Sequence, residues 1–266
     1  MNRTLSFRTS ATACLLALAW LGALPFPVEA GNRKATATIT VFAASSATDV
    51  MTSLAKQYEA THPVRVRLSF AASSVLARQV ERDAPCDLVL LADQKWMDFL
   101  AGKRKVQKGS RKDIAGNRLV VVTPANKPLV VRMEPKFDLA AAFKGRLAVG
   151  DPDHVPAGLY AKEALQNMGW WDLLKFRLAP AENVRAALRL VELGEVEVGI
   201  VYRSDARSSG KVVIAGQFPP GTHRAIRYPA ALCASATPGA GDFLDYIAGK
   251  EAAPVWTANG FDALDQ

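Results

Sequence analysis

The pentapeptide Phe-Ala-Ala-Ser-Ser occurs twice in this chain, at residues 42–46 and again at residues 70–74. Each copy ends an apolar, strand-like run and precedes a helix-like segment. Such a turn brings serine hydroxyls and free backbone N–H groups to the positive end of a helix dipole, which suits an anion. Serine is also a common helix cap, so either turn taken alone is explained without a ligand. The repetition favours one ligand shared by both turns.

The first thirty residues have the pattern of a secretory signal peptide. Arg3 and Arg8 form a basic start, an apolar stretch follows over residues 11–24, and small residues end the segment at 28–30. The apolar stretch is too short for a comfortable membrane span. We predict cleavage after Ala30, within a few residues, and a periplasmic mature chain.

The formal net charge of the chain is +8, and six basic residues fall between positions 103 and 112. They are Lys103, Arg104, Lys105, Lys108, Arg111 and Lys112. No aromatic residue interleaves them and no DNA-binding motif accompanies them, so we interpret them as a solvated helix-and-loop surface and expect no nucleic-acid partner. The excess positive charge can still speed the arrival of a small anion.

Of the three cysteines, Cys14 leaves with the predicted signal peptide, and Cys86 and Cys233 remain. In an oxidising compartment these two can form a disulfide. Each also lies in an apolar, strand-like segment, where cysteine often packs as a small hydrophobic residue. The sequence leaves both interpretations open, and it contains no CxxC or zinc-like spacing.

Strand and helix signals alternate along the chain and predict an α/β fold with mainly parallel sheets. Strands are predicted at residues 38–44, 64–70, 87–92, 118–122, 146–149, 198–202 and 212–215. Helices are predicted at residues 48–60, 74–82, 158–168, 184–193 and 241–248.

Two interruptions rich in proline and polar residues, at 123–128 and 217–221, mark candidate boundaries. The segment between them is long enough for a small α/β lobe. We therefore predict a discontinuous first lobe of residues 31–123 and 224–266, and a second lobe of residues 124–223.

The predicted second lobe contains two further helix starts and a tyrosine at a strand end. Pro156 suits a first helical turn, and Ala157 after it offers a backbone amide with little side-chain bulk. A comparable start leads into Val184, and Tyr202 ends the strand 198–202. Each is an ordinary feature alone, but ligands of open α/β sheets bind beyond the carboxyl ends of the strands, where all of them are predicted to lie.

In combination, these segments resemble the periplasmic molybdate-binding proteins of bacterial ABC transporters, over essentially all of the mature sequence. The matching stretches are residues 40–46, 70–79, 92–98, 150–165, 178–182 and 199–202, in the order and spacing of that family. The resemblance implies a type II periplasmic binding protein, in which two α/β lobes joined by two crossover segments close over an oxyanion.

Transferred residue by residue, the resemblance also implies a ligand set of neutral donors. It comprises the hydroxyls of Ser46 and Ser73, the backbone amides of Ala157 and Val184, and the phenol of Tyr202. These groups contact the oxygens of molybdate or tungstate rather than coordinating the metal. Ser74 is then expected to be a helix cap, and the choice between the hydroxyls of Ser45 and Ser46 stays open.

The family resemblance further implies a monomeric receptor, without a cofactor, that delivers its anion to an ABC permease in the inner membrane. An exported enzyme is the main alternative. Only His62, His154 and His223 are available as bases, and the chain has no GxSxG, HExxH or phosphate-binding loop motif. A third hypothesis is a binding protein for sulfate, another oxyanion or an amino acid. Amino-acid receptors of this architecture usually need an arginine and an acidic residue, which the implied ligand set lacks.

Overall fold

The computed structural model describes residues 37–264, so the predicted signal peptide at residues 1–30 lies outside the described part of the chain. Ten strands form within it: β1 (Ala37–Ala44), β2 (Val64–Ala71), β3 (Leu88–Leu90), β4 (Lys112–Asn117), β5 (Leu119–Pro124), β6 (Leu147–Gly150), β7 (Leu178–Ala181), β8 (Val198–Tyr202), β9 (Val212–Gln217) and β10 (Ile226–Leu232). Nine α-helices form in the same residues: α1 (Thr48–Thr61), α2 (Ser73–Glu81), α3 (Gln94–Gly102), α4 (Pro156–Asn167), α5 (Trp171–Leu174), α6 (Val184–Glu192), α7 (Arg203–Arg207), α8 (Ala240–Ala248) and α9 (Ala253–Ala258).

The strands are divided equally between two sheets. The first has the order β2-β1-β3-β10-β4, and the second has the order β7-β6-β8-β5-β9. In the first sheet β1 is parallel to β2 and β3, whereas β10 is antiparallel to β3 and β4. In the second sheet β6 is parallel to β7 and β8, whereas β5 is antiparallel to β8 and β9. The predicted α/β class is confirmed, but both sheets are mixed rather than mainly parallel.

The antiparallel pairings have a common origin in the two places where the chain passes between the sheets. It leaves the first sheet from β4 directly into β5, and it returns from β9 into β10. Every antiparallel pairing between two of the named strands involves one of these four. A parallel connection within one sheet needs a crossover, usually helical, and a strand that arrives directly from the other sheet does not.

The position of β5 corrects one boundary of the predicted lobes. The predicted first lobe extends to residue 123, but Leu119–Pro124 pairs with β8 and β9 in the second sheet. The chain therefore changes sheet between Asn117 and Leu119. The proline-rich interruption that suggested the boundary follows this strand instead of preceding it.

Helix α6 illustrates how the sequence pattern produces packing. Its apolar residues recur at helical spacing, and Val184, Ala187, Leu188 and Val191 are all buried. This stripe packs on the second sheet, chiefly on β6 and β8, and it fixes the first turn of the helix against the strand ends. The position of Val184 at that first turn matters for the site described below.

Several elements are absent from the predicted strands and helices. They are strands β4, β7 and β10 and helices α3, α5, α7 and α9. In β10, Pro229 cannot donate to a ladder, and the register of this strand against β4 shifts between Tyr228 and Pro229. A proline inside a short apolar run obscures the bounds of a strand in the sequence.

The basic cluster lies at the end of α3 and in the segment leading to β4, where it forms a surface with paired charges. Its ion pairs are Lys103–Glu81, Lys105–Asp83, Arg111–Asp98 and Lys112–Asp245. Pairing with carboxylates is the arrangement expected of a solvated surface. Among the described residues, no helix is both long enough and apolar enough to span a membrane.

Candidate functional site

All five predicted ligand residues line one small cavity of about 10 Å³. This volume is below the roughly 300–1,000 Å³ typical of pockets for drug-sized molecules. The lining residues are Ala44, Ser45, Ser46, Ala71, Ala72, Ser73, Ala92, Val155, Pro156, Ala157, Val184 and Tyr202. None of them carries a charged side chain. The cavity therefore suits a small ligand held by neutral groups.

The first Phe-Ala-Ala-Ser-Ser segment ends strand β1 and places Ser46 at the cavity. Residues Ser45–Ala47 form a 3₁₀ turn ahead of α1, and no side chain caps that turn. The Ser46 side chain is buried, and its Oγ lies 2.7 Å from the phenolic oxygen of Tyr228. Ser45 also lines the cavity, so both adjacent hydroxyls are close to it. Capping does not account for these serines.

The second segment ends strand β2 and begins helix α2 at Ser73. The N-cap residue is Ala72, and no side chain caps this helix. Ser73 Oγ accepts a hydrogen bond of 2.9 Å from the backbone N–H of Ala92. Because that bond uses the oxygen as an acceptor, the Ser73 hydroxyl hydrogen is left to donate into the cavity.

Ser74 does not act as the expected helix cap. It is the second residue of α2, it is buried, and its Oγ has no hydrogen-bond partner among the described residues. The helix begins one residue earlier than predicted, which moves this hydroxyl past the capping position. Ser74 also does not line the cavity.

Helix α4 approaches the cavity with its N-terminus. Pro156 occupies the first turn, as predicted, and Ala157 follows it, almost completely buried. The N–H groups of a first helical turn have no intrahelical acceptor, so the Ala157 amide is available to a ligand. Gly158 permits this close approach, since a Cβ there would lie 2.1 Å from the carbonyl oxygen of Gly150.

Helix α6 presents its first turn in the same way. Asn183 is the N-cap residue, and its side chain accepts a hydrogen bond of 2.9 Å from the backbone N–H of Ala186. The cap fixes the helix start and satisfies a later amide, while the first-turn amide of Val184, a residue that lines the cavity, has no intrahelical acceptor. The side chain of Val184 is buried with the helix stripe.

Tyr202 ends strand β8 and places its phenol at the cavity. The side chain is buried, and its hydroxyl has no hydrogen-bond partner among the described residues. Burial raises the pKa of Tyr202 well above its ordinary value, so the phenol stays protonated at neutral pH. A buried donor without a partner is costly unless a ligand satisfies it.

The electrostatic character of the cavity follows from these backbone elements. The N-termini of α2, α4 and α6 border it, and the 3₁₀ turn before α1 adds a fourth set of turn residues. Each helix N-terminus carries a partial positive charge of about half a unit. The arrangement can stabilise an anion without any lysine or arginine at the ligand. In the described part of the chain, no group of three or more His, Cys, Asp and Glu side chains could hold a metal ion.

Several polar residues near the site were not predicted from the sequence. Tyr228 contacts Ser46, and Asn117 donates to Tyr228 at 3.3 Å. Arg185, next to Val184, donates to the buried carboxylate of Asp205. Tyr228 lies in β10, whose bounds were not predicted from the sequence. The contacts of Arg185 are made over long sequence separations and leave no local pattern.

His154, the histidine nearest the predicted site, is a loop residue. Its Nδ1 lies 3.1 Å from a carboxylate oxygen of Asp151, and its backbone carbonyl accepts a hydrogen bond from the indole of Trp96. It is not among the residues lining the cavity. His154 is therefore a loop residue held by contacts of its ring and its backbone, and it lies outside the cavity lining.

Comparisons with known proteins agree with this geometry. A model of the family described as bacterial extracellular solute-binding protein matches residues 39–262. The molybdate-binding protein ModA of Escherichia coli (strain K12) is 47% identical over 245 residues, covering 90% of this chain and 94% of its own length. The molybdate-binding protein ModA of Haemophilus influenzae is 41% identical over 232 residues, covering 86% of this chain and 91% of its own. The solved structure of the Azotobacter vinelandii periplasmic molybdate-binding protein superposes with a TM-score of 0.74 at 25% identity, covering 86% of this chain and all of the other.

Proposed function

The chain belongs to the bacterial extracellular solute-binding protein family, and from that membership we propose that it is a periplasmic receptor for molybdate and tungstate that delivers the anion to an ABC permease. The Escherichia coli and Haemophilus influenzae relatives are named molybdate-binding proteins, and their similarity to this chain is spread over most of its length. Relatives named for binding rather than for a reaction agree with the expectation that the chain is not an enzyme.

One observation carries the proposal. Five hydrogen-bond donors without formal charge line one small cavity, and they come from segments associated with both sheets. Ser46 and Ser73 follow strands of the first sheet, whereas Ala157, Val184 and Tyr202 belong to elements of the second.

The chemistry of this donor set matches a tetrahedral oxyanion. Molybdate and tungstate are dianions whose oxygens only accept hydrogen bonds. Each hydrogen bond to a charged group contributes roughly 1.5–3 kcal/mol, so a handful of them can exceed the costs of desolvation and ordering. The dipoles of the three helix N-termini add to the attraction for negative charge.

The same donor set favours selection among oxyanions. Ser73 already accepts from the Ala92 amide, so its hydroxyl is committed to donating and offers little to a ligand that carries its own proton. This disfavours monohydrogen phosphate. Molybdate and tungstate are larger than sulfate, so a rigid ring of donors set for the larger radius contacts sulfate poorly.

Transport requires release as well as binding. We expect the halves built on the two sheets to act as lobes that move about the two segments joining them and close when the anion engages donors from both sides. The closed face would then be recognised by the permease. Since one copy of the chain supplies all five donors, the receptor is expected to act as a monomer.

Isothermal titration calorimetry with molybdate, tungstate, sulfate and phosphate tests this proposal. Molybdate and tungstate should bind at least tenfold more tightly than the other two. No heat with molybdate or tungstate, together with clear binding of sulfate or phosphate, would reject the assignment.

A further inference from the structure

A chain of buried hydrogen bonds leads from the segment joining the sheets to Ser46. Asn117, the last residue of β4, donates from Nδ2 to the Tyr228 oxygen at 3.3 Å and to Ser204 Oγ at 2.9 Å. The Tyr228 oxygen lies 2.7 Å from Ser46 Oγ. All four side chains are buried. The network therefore ends at a hydroxyl that lines the cavity.

The direction of each hydrogen bond in this chain follows from the donors and acceptors available. The Asn117 side-chain oxygen accepts from the backbone N–H of Arg118 at 2.8 Å, so its amide nitrogen faces Tyr228. The Tyr228 oxygen then accepts from Asn117. Because Tyr228 already accepts from Asn117, we assign its hydroxyl as the donor to Ser46 Oγ, 2.7 Å away. Burial raises the pKa of Tyr228 well above its ordinary value, which keeps that hydrogen in place.

We propose that Tyr228, oriented by Asn117, is a positioning residue that commits the Ser46 hydroxyl to donate to the bound oxyanion. This inference rests on the proposed function. With the Ser46 oxygen used as an acceptor by Tyr228, its hydrogen is free to donate into the cavity that Ser46 lines. Successive donors in such a chain also polarise one another and strengthen the final bond. Tyr228 thereby supplies Ser46 with a hydrogen-bond donor to its oxygen, as the Ala92 amide does for Ser73.

The test is the molybdate affinity of Tyr228→Phe, which removes only the phenolic hydroxyl. We expect the Kd for molybdate to rise about tenfold, because Ser46 loses the partner that fixes its hydrogen. Tyr246→Phe is the matched control. Its hydroxyl contacts Gln57 on an exposed surface and not the cavity, so its Kd should equal that of the wild type.

A double-mutant cycle separates positioning from packing. Ser46→Ala should weaken binding on its own, and adding Tyr228→Phe to it should weaken binding no further. Thermal unfolding of each ligand-free variant verifies that it is folded. If Tyr228→Phe does not fold, Asn117→Ala provides the same test from the other end of the chain of hydrogen bonds.

The outcomes distinguish this inference from the proposed function. A wild type that does not bind molybdate rejects the function. A wild type that binds, with Tyr228→Phe or Ser46→Ala unchanged, overturns the positioning role. The positioning role is also overturned if Tyr228→Phe lowers the molybdate affinity equally in the wild type and in Ser46→Ala, since its effect would then not depend on that serine.

A second inference comes from the two cysteines, which meet in the first sheet. Cys86 precedes β3 and Cys233 follows β10, and these strands are antiparallel neighbours. The two Sγ atoms lie 2.9 Å apart, both side chains are buried, and the backbone N–H of Cys233 donates to the carbonyl of Asp87. In the structure both are free thiols.

We infer that Cys86 and Cys233 form a disulfide in the exported protein. The two thiols lose two protons and two electrons, and a protein disulfide of the thiol oxidoreductase class accepts them and becomes a dithiol. The bond would close a loop containing all of the second sheet. Closing so long a loop constrains the unfolded chain strongly.

Peptide mapping after alkylation under denaturing conditions tests this inference. Denaturation is needed because the thiol of Cys233 is protected in the folded state. Its hydrogen bond to Cys86 and its burial both raise the pKa of Cys233. We expect a linked Cys86–Cys233 peptide pair without reductant and two alkylated peptides with it. Reduction should lower the melting temperature by about 5–10 °C. Full alkylation without reductant, persisting after incubation with oxidised glutathione, would overturn the inference.

Discussion

Arg185 of helix α6 donates from Nη2 to a carboxylate oxygen of Asp49 on helix α1, at a distance of 2.6 Å. The two helices belong to different sheets, and Arg185 directly follows Val184 at the cavity. The same guanidinium donates from Nε to Asp205 at 2.6 Å. The ion pair therefore connects the two halves beside the proposed ligand.

Asp49→Asn is expected to weaken molybdate binding about two- to fivefold. Half of the Asp49 side chain is exposed, so the pair is in the range of about 0.2–1 kcal/mol found for surface ion pairs. The loss should shrink at high ionic strength, because salt screens the pair in the wild type. Calorimetry at low and high salt measures it. The control is Asp245→Asn, which breaks the Lys112 pair within the first half. Equal effects of both substitutions would contradict a role in closure.

Ser73→Ala is expected to raise the Kd for molybdate roughly 10- to 100-fold. The substitution removes a donor to the anion and leaves the buried Ala92 amide without its acceptor. Ser74→Ala is the adjacent control, since the hydroxyl it removes has no partner and does not line the cavity. Titration of both variants decides the assignment. Unchanged affinity in Ser73→Ala would remove this residue from the site.

Gly158→Ala is expected to reduce both stability and affinity. The added Cβ would lie 2.1 Å from the Gly150 carbonyl oxygen and 2.3 Å from that of Asp151, so the start of α4 must move. Overpacking of this kind typically costs about 1–3 kcal/mol. Chemical denaturation and molybdate titration measure the two effects. Gly102→Ala, where a Cβ meets nothing within 4 Å, should have neither.

Asp205 gives the folding free energy a specific pH dependence. Burial raises its pKa from 3.8 to about 6, although Arg185 and the Tyr202 amide oppose the shift. The contribution of Asp205 to the free energy of unfolding is therefore fully present below about pH 4. It decreases as pH rises through about 6, by up to roughly 3 kcal/mol in total. Denaturant unfolding of wild type and Asp205→Asn across this range should show the difference changing with pH. A pH-independent difference would contradict the shift.

The parts of the site that the sequence could predict are those with local chemical causes. A strand ending in small residues and serines, a proline in a first helical turn, and a tyrosine at a strand end all act within a few residues. Ser46, Ser73, Ala157, Val184 and Tyr202 were identified in this way together with the family resemblance, and the structure places all five around one cavity.

The supporting residues depend on tertiary structure and were not predictable. Asn117 meets Tyr228 only because β4 and β10 pair, and Arg185 meets Asp49 only because the two halves approach. The boundary at residue 123 was misplaced for a similar reason. A buried apolar strand such as Leu119–Pro124 carries no signal for which of two sheets it joins.

The most direct test is a crystal structure of the protein with molybdate, with the metal located by anomalous scattering at the molybdenum absorption edge. We expect one strong peak in this cavity, with oxygens within hydrogen-bonding distance of the Ser46 and Ser73 hydroxyls, the Ala157 and Val184 amides and the Tyr202 phenol. A peak elsewhere, or an anion held by lysine or arginine, would contradict this expectation.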